Sequence, residues 1–141
     1  MAIEPAPFND ATVGALLTAA GLPIPGAEDA PVQMRVLREA GRVQACAGYE
    51  RHGEAALLRS VAVAAEARGR GLGRALVGAV LEELAEQDAR EIYLLTLEAA
   101  GFFAGLGFAS IARAKVPKAV LAAREFSIHC CDSAQVMRRP L

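Results

Sequence analysis

The spacing of apolar residues along the chain predicts an alternation of short strands and helices. An extended start over Ile3–Pro7 comes first, and a helix over Ala11–Ala20 follows it. Asp10 can cap this helix, and Gly21 follows its last residue. The next three strand-like runs cover Gln33–Glu39, Val43–Arg51 and Glu54–Val63. Their connections are too short for a crossover, so we predict an antiparallel meander.

The second half of the chain changes from strand to helix periodicity. After a glycine-rich loop, apolar residues recur at every fourth position, at Leu72, Leu76, Val80 and Leu84. The remaining predicted elements are a strand over Ile92–Leu97, a helix over Ala99–Gly105, a strand over Phe108–Ala112, a helix over Pro117–Glu125 and a strand over Ala134–Arg138. This order predicts an α/β (α+β) fold with a mixed, mainly antiparallel sheet of about six to seven strands and about four flanking helices.

Composition fits one small domain covering residues 1–141. Hydrophobic residues make up 54% of the chain, but alanine occupies 31 positions and tryptophan is absent. Alanine adds helix propensity and little buried area, so the apolar fraction is no membrane signal. The longest uncharged stretch, Ala11–Ala27, is too short to span a bilayer and contains two prolines. We therefore expect no membrane association.

Charge and cysteine content indicate the compartment and exclude one class of partner. The net charge of −1 argues against nucleic-acid binding. The first residues have no basic or apolar secretion signal, and the three cysteines do not form a disulfide framework. We therefore expect a cytoplasmic protein. A homodimer is compatible with the sequence.

The loop between the third strand and the long helix carries the strongest chemical signal. Its glycines and arginines alternate in the run Arg68-Gly69-Arg70-Gly71-Leu72-Gly73-Arg74. Glycines let a backbone approach a ligand closely, and the helix start adds unpaired N–H groups and a positive dipole end. These features favour a phosphate or pyrophosphate. The alternative is a tight turn with solvated arginines.

Two common nucleotide-binding loops do not fit this segment. A Walker loop needs a lysine followed by serine or threonine, whereas Arg74 precedes alanine here. A dinucleotide fingerprint needs a different glycine spacing and follows the first strand of a parallel sheet. The spacing and the preceding meander therefore argue against both.

The loop resembles the phosphate-binding loop of the GNAT family of acetyl-CoA-dependent N-acetyltransferases. A second matching motif is Gly101-Phe102-Phe103-Ala104-Gly105-Leu106-Gly107-Phe108, which is similar to the family's short helix ending in Leu-Gly-Phe. The resemblance implies a GNAT fold over nearly the whole chain and acetyl-CoA as cosubstrate. It implies that Val61, Ala62 and Val63 hold the acetyl and pantetheine portion, while residues Arg68 to Arg74 hold the pyrophosphate.

The resemblance also implies direct attack of an amine on the acetyl group, with no acetyl-enzyme. Many relatives place a tyrosine in the short helix as general acid, and the matching position here is Phe103, beside the cofactor. A water, another hydroxyl or no specific acid would then serve. The candidate bases are Glu50, Glu54 and Glu98, near predicted strand ends, with a water chain or plain surface carboxylates as alternatives.

Arg59 lies inside an otherwise apolar strand, where a charge is costly unless it reaches solvent or a partner. It is either an arginine that faces outward or one whose guanidinium binds an acidic group on the acceptor. Two subgroups of the family have similar segments: the acetyltransferases of arsenic-resistance operons and the acetyltransferase domain of N-acetylglutamate synthase. The segments that resemble them are Leu94-Leu95-Thr96-Leu97, Gly101-Phe102-Phe103, Val116-Pro117, Arg124-Glu125-Phe126 and Ala134-Gln135-Val136-Met137-Arg138. Both subgroups imply a small, amino-acid-like acceptor with an acidic group. Arg59 and Arg124 are then candidate anchors, with Ser60 and Thr96 as polar neighbours.

The sequence-based hypothesis is therefore an N-acetyltransferase that acts on the primary amine of a small molecule. The alternative is an acetyl-CoA-binding regulatory module without turnover, which the phenylalanine at the tyrosine position favours. His129, Cys130 and Cys131 lack the spacing of a closed metal site, so no metal is predicted.

Overall fold

The computed structural model describes residues 2–26, 29–128 and 134–141. Its helices and strands are β1 (Ala2–Ala6), α1 (Ala11–Ala19), β2 (Val32–Glu39), β3 (Arg42–His52), β4 (Ala55–Val63), α2 (Leu72–Glu86), β5 (Glu91–Thr96), α3 (Ala100–Ala104), β6 (Ala109–Ser110), α4 (Lys118–Leu121), α5 (Arg124–Ile128) and β7 (Gln135–Pro140). The described strands form one sheet in the order β1-β2-β3-β4-β5-β7-β6. Only β4 and β5 pair in parallel within it. The predicted mixed, mainly antiparallel α+β architecture is confirmed.

Helices cover both faces of the sheet, as the alternation of buried residues on β4 demonstrates. Ala56 and Leu58 belong to the hydrophobic cluster beneath α2, whereas Ala55 and Leu57 belong to the cluster beneath α4 and α5. Successive residues of a strand point to opposite faces, so α2 and the α4–α5 pair lie on opposite sides.

Helix α1 lies on the same side of the sheet as α4 and α5. On β2, Val36 packs in the cluster that includes the α1 residues Val13 and Leu17, whereas its neighbour Leu37 packs in the α2 cluster. The loop that follows α1 is therefore on the face opposite α2, together with α4 and α5.

The region predicted as one helix over Pro117–Glu125 is two short helices, which makes five α-helices in the described chain. Its buried positions are Val120, Ala123 and Phe126, all in the cluster against the sheet. A spacing of three residues fits a turn tighter than the 3.6 residues of an α-helix. The interruption between α4 and α5 thus keeps all three side chains on the sheet.

The predicted strand over Phe108–Ala112 is also shorter than expected. Only Ala109–Ser110 pairs with β7, while Phe108 lies in the core beneath α2. The phenylalanine packs edge-on against the Phe103 ring, at 5.7 Å between centroids. Core packing, not strand pairing, therefore fixes its position.

The predicted cap of α1 is present and can be tested. The Asp10 carboxylate accepts hydrogen bonds from the amides of Thr12 and Val13, at 2.9 and 3.2 Å. We expect Asp10→Ala to lower the free energy of unfolding by about 1 kcal/mol, because these amides lose their acceptor. Urea unfolding measures the change, and Asp10→Asn, which keeps an acceptor oxygen, is the control. Equal stability of the alanine variant and the native protein would contradict the assignment.

Candidate active site

The glycine–arginine loop joins the end of β4 to α2. Gly69 and Gly71 have φ angles of +79° and +78°, a region that L-residues rarely adopt, and Gly71 is the N-cap of α2. Gly73 is in close contact with its neighbours, since an added Cβ would lie 3.2 Å from the Val63 side chain and 3.4 Å from the Phe102 ring. The glycines therefore permit both the turn and the close packing of the helix start.

The three loop arginines are exposed and each extends to a different neighbour. Arg68 donates through Nε to the carbonyl oxygen of Val63, at 3.3 Å. Arg70 donates through Nη1 and Nη2 to both carboxylate oxygens of Glu39, at 2.8 and 2.6 Å. The Arg74 guanidinium lies close to Gly105 of the α3 turn. The loop thus concentrates positive charge around the start of α2.

The hydrogen-bonded pair of Arg70 and Glu39 perturbs both groups. The hydrogen bond from Arg70 lowers the pKa of the Glu39 carboxyl, and the same bond raises the pKa of the Arg70 guanidinium. Each group therefore favours the charged state of the other.

Strand β4 contains a bulge next to the predicted acetyl-binding residues. Cys46 pairs with Ala62 and Gly48 pairs with Arg59, so β4 carries one residue more than β3 between these pairs. Ser60 lies in the bulge with a φ angle of +58°. The extra residue reverses the alternation, so that Val61 and Val63 pack towards the α2 cluster.

Cys46 lies behind this bulge. Its Sγ donates to the carbonyl oxygen of Ser60, at 3.3 Å. Burial raises the pKa of the Cys46 thiol to about 12, against a smaller opposing effect of a backbone hydrogen bond. The thiol is therefore neutral at physiological pH and helps to fix the bulge.

Strands β4 and β5 separate where the bulge begins. Their parallel pairing runs only from Ala55 with Glu91 to Leu57 with Tyr93. Both strands continue within the described chain, to Val63 and Thr96, without pairing with each other. The backbone of the second half of β4 thus faces a gap beside β5. Residues 61–63 and the loop border this gap.

The end of β5 places Thr96 at the start of α3. Its Oγ1 accepts a hydrogen bond from the amide of Ala99, at 2.9 Å. The chain then turns outward, because Leu97 is 55% exposed and Glu98 is also exposed. Thr96 is therefore a buried residue at the edge of the gap, with its hydroxyl hydrogen still able to donate.

Phe103, the residue at the position where many relatives have a tyrosine, is a core residue of α3. It is 6% exposed and packs in the core beneath α2, between Phe102 and Phe108. Phe102 is 41% exposed, and its ring lies against Gly73 at the loop. Consecutive helix residues point about 100° apart, so only one of the two can pack inward. Phe102 is the one beside the loop.

On the opposite face of β4, Arg59 is the centre of a buried cluster of charged residues. Its side chain is 1% exposed, and three carboxylates lie within ion-pair distance of the guanidinium. They are Glu50 of β3 at 2.9 Å, Asp29 of the α1–β2 loop at 3.3 Å and Glu125 of α5 at 3.7 Å. The Arg59 Nε also donates to Ser60 Oγ, at 3.3 Å. Arg59 therefore already has acidic partners within the chain and is not an outward-facing arginine.

Two further side chains extend this cluster. His52 Nε2 lies 2.9 Å from Oε1 of Glu50, and Arg124 Nη1 lies 3.7 Å from Oδ1 of Asp29. The Arg124 side chain is 42% exposed, whereas Glu50 and Asp29 are buried. Arg124 is thus the partly exposed member of the cluster.

The three candidate bases lie in different places. Glu50 belongs to the buried cluster, and Glu98 is an exposed residue just beyond β5. Glu54 lies in the β3–β4 turn, exposed and 3.5 Å from Arg90. That turn is at the far end of β4 from Val61, about 20 Å away at 3.3 Å per strand residue. Glu54 is thus an exposed carboxylate at the opposite end of β4 from the residues predicted to hold the acetyl group.

Sequence reasoning missed four residues of this region: Asp29, Glu39, Phe102 and Glu125. Asp29 lies in a loop without periodicity, and Glu39 is remote in sequence from Arg70. Glu125 could have been found from the sequence, because it is the residue next to the candidate anchor Arg124. The predictions for His129, Cys130 and Cys131 concern residues outside the described ranges.

Among the helices that the structure describes, none combines the length and apolar character that crossing a bilayer requires.

Comparisons with known proteins give a family for the chain and structures that share its fold. The family model for the acetyltransferase (GNAT) domain matches residues 31–110, which is more than half of the chain. No curated protein sequence matches the chain.

Several solved structures share the fold. The N-acetylglutamate synthase of Neisseria gonorrhoeae, complexed with coenzyme A and N-acetyl-glutamate, has a TM-score of 0.76 and 14% identity over 100% of this chain and 35% of that chain. Its complex with coenzyme A and L-arginine has a TM-score of 0.80 and 17% identity, over 99% of this chain and 33% of that chain. Mycobacterium tuberculosis Rv2747, in complex with CoA and NLQ, has a TM-score of 0.77 and 18% identity, over 100% and 99%.

The chain thus spans about a third of the length of the Neisseria synthase and nearly all of the mycobacterial protein. At these identities the structural likeness establishes the fold. The family match establishes the family of the chain, because it covers the meander, the glycine–arginine loop, α2, β5 and α3 together. The chain belongs to the family of acetyltransferase (GNAT) domains.

Proposed function

We propose that the protein transfers an acetyl group from acetyl-CoA to the primary amine of a small molecule. The observation that carries this proposal is the gap between β4 and β5, bordered by a phosphate-binding type of loop at the start of α2. We treat residues 1–141 as one domain, since the described helices on both faces pack on a single sheet.

The loop side of the gap is the proposed cofactor site. The amides of residues 69–74 and the Arg68, Arg70 and Arg74 side chains supply hydrogen bonds and charge for the pyrophosphate. Within the described chain, Val61, Ala62 and Val63 pair with no strand on their β5 side, and this edge of the backbone is available to hydrogen-bond the pantetheine amides, as a partner strand would. The Phe102 ring adds an apolar wall beside Gly73. The coenzyme A complexes of the structural neighbours support this assignment.

The face that carries Arg59 is the proposed acceptor side. The loop enters α2 on one side of the sheet, and the charged cluster lies on the other. An acceptor amine approaching from the cluster side would meet the acetyl carbonyl across the gap. A backbone N–H of the bulge would stabilise the oxyanion as the C–N bond forms and the C–S bond breaks.

Glu50 is the preferred candidate for proton removal. Its Oε2 accepts from Arg59 and its Oε1 lies against His52, so the carboxylate is held in a fixed position on the acceptor side. A water molecule between the amine and this carboxylate would carry the proton. Glu98 lies beyond the end of β5 and is the second candidate.

The leaving thiolate has no tyrosine to protonate it in the gap. The hydroxyl of Tyr49 donates to Glu83 of α2, and the hydroxyl of Tyr93 donates to Glu91, away from the open end of β5. Burial, followed by the adjacent carboxylate, raises the pKa of each phenol. We propose that the thiolate leaves as such and takes its proton from solvent.

The proposed acceptor is a small amino-acid-like molecule with an acidic group. Arg59 is surrounded by Glu50, Asp29 and Glu125, so we assign it to positioning these carboxylates rather than to anchoring the acceptor. Arg124 is partly exposed beside the cluster and is the better contact for an acidic group. Ser60 and Thr96 are the polar neighbours. The synthase complex with N-acetyl-glutamate makes acidic amino acids the first acceptors to test.

A thiol-release assay with acetyl-CoA and a panel of amines tests the proposal. The panel contains acidic amino acids, their phosphinic and arsinic analogues, neutral amino acids and simple amines. We expect release of CoA that depends on the amine, with an acetylated product detected by mass spectrometry. Tight binding of acetyl-CoA without turnover on any amine would instead support a regulatory module, which the absence of a tyrosine from the gap favours.

A further inference from the structure

Glu39 is the residue that the proposed cofactor site leaves unexplained. It is the last residue of β2, paired with Arg42 across the β2–β3 turn. This turn reaches the glycine–arginine loop, where both oxygens of the Glu39 carboxylate accept hydrogen bonds from Arg70. The loop thus already holds an anion that belongs to the chain itself.

The geometry of this pair matches that of an arginine bound to a phosphate. A guanidinium binds carboxylate and phosphate through the same two parallel N–H bonds. Arg70 has five N–H donors, and the carboxylate occupies the two at its end. A phosphate that approaches Arg70 would find its two terminal N–H donors already bound to Glu39. The Glu39 carboxylate would also neutralise the Arg70 charge and would lie beside the phosphate as a second negative group.

We propose, on the basis of the cofactor site assigned above, that Glu39 is an internal competitor of the cofactor phosphate for Arg70. Binding of CoA displaces the carboxylate, and departure of CoA restores the pair. Glu39 therefore weakens the binding of substrate and product alike and shortens the residence of CoA after the reaction. Release of a tightly bound product limits many enzymes, so this competition favours turnover.

The test compares Glu39→Gln with the native protein by calorimetric titration with CoA. Because the pair is exposed, the expected change is moderate, about threefold tighter binding. Pantetheine, which lacks phosphates, should bind both proteins equally. In acetyl transfer, the KM for acetyl-CoA and the inhibition constant of CoA should fall by the same factor.

Two controls make the result specific. Glu54→Gln removes the same charge from an exposed ion pair at the other end of β4 and should leave CoA affinity unchanged. When Arg70 is already replaced by alanine, adding Glu39→Gln should no longer tighten CoA binding, since the competition acts through Arg70. Thermal unfolding establishes that each variant is folded. If Glu39→Gln does not fold, Glu39→Ala is used in its place.

The outcomes are distinguishable. Unchanged or weaker CoA binding by Glu39→Gln would overturn the competition while leaving the cofactor site intact. A gain that persists without Arg70 would overturn it too, because Glu39 would then act by general repulsion. Failure of the native protein to bind CoA would overturn the proposed function itself.

Discussion

Replacing Arg59 by methionine is expected to lower the free energy of unfolding by about 3–5 kcal/mol, because it removes the guanidinium that pairs with three carboxylates in the buried cluster. Glu50 and Asp29 are each at most 2% exposed in their side chains and lie 2.9 and 3.3 Å from the guanidinium. Buried charges without a partner cost far more than exposed ones. Denaturant unfolding of the purified variant measures the loss.

Arg90→Met is the matched control for this substitution. Arg90 pairs with Glu54 at 3.5 Å, and both side chains are more than two-thirds exposed. The same change of side chain should therefore cost less than about 1 kcal/mol there. Adding Glu50→Gln to Arg59→Met should restore part of the free energy of unfolding, since it removes one of the buried negative charges that have lost Arg59. A loss below 1 kcal/mol in Arg59→Met would contradict the buried cluster.

The second large effect concerns the loop. The double variant Arg70→Ala with Gly71→Ala should bind acetyl-CoA at least about 30-fold more weakly than the native protein. One charge-assisted hydrogen bond is worth about 1.5–3 kcal/mol, and alanine in the left-handed conformation of Gly71 adds about 1–2 kcal/mol of strain to the turn. Calorimetric titration of both proteins gives the ratio.

A matched pair in another turn separates binding from general damage. Arg51→Ala with Gly53→Ala changes the same residue types at another turn, because Arg51 of β3 donates to the carbonyl of Gly53 in the β3–β4 turn, and Gly53 has a φ angle of +69°. Neither Gly53 nor Gly71 has a heavy atom within 4 Å of an added Cβ. The control should lose stability to a similar extent and keep its affinity for acetyl-CoA. Equal affinity losses in both double variants would argue against a phosphate site at the loop.

The order of elements and the loop were accessible from the sequence because they depend on local signals. Periodicity located α2, and Asp10 located the start of α1. The break between α4 and α5 was not accessible, since Ala122 and Ala123 are good helix formers and only packing against the sheet sets the spacing of their neighbours.

The candidate site was harder to predict because its geometry depends on contacts between distant residues. The bulge at Ser60 reverses the faces of β4, and serine gives no sequence sign of a positive φ angle. The sequence marked Arg59 as unusual but could not reveal Asp29 and Glu125 around it. Phe102 and Phe103 are chemically identical, and only the packing of α3 decides which ring lies beside the loop.

A crystal structure of the protein with bound acetyl-CoA tests the central claim most directly. The account predicts pyrophosphate oxygens at hydrogen-bond distance, about 3 Å, from the amides of residues 69–74. It also predicts the thioester in the gap between β4 and β5, beside Val61, with Arg70 released from Glu39. A cofactor bound elsewhere, or a saturated crystal in which the gap holds no thioester, would contradict it.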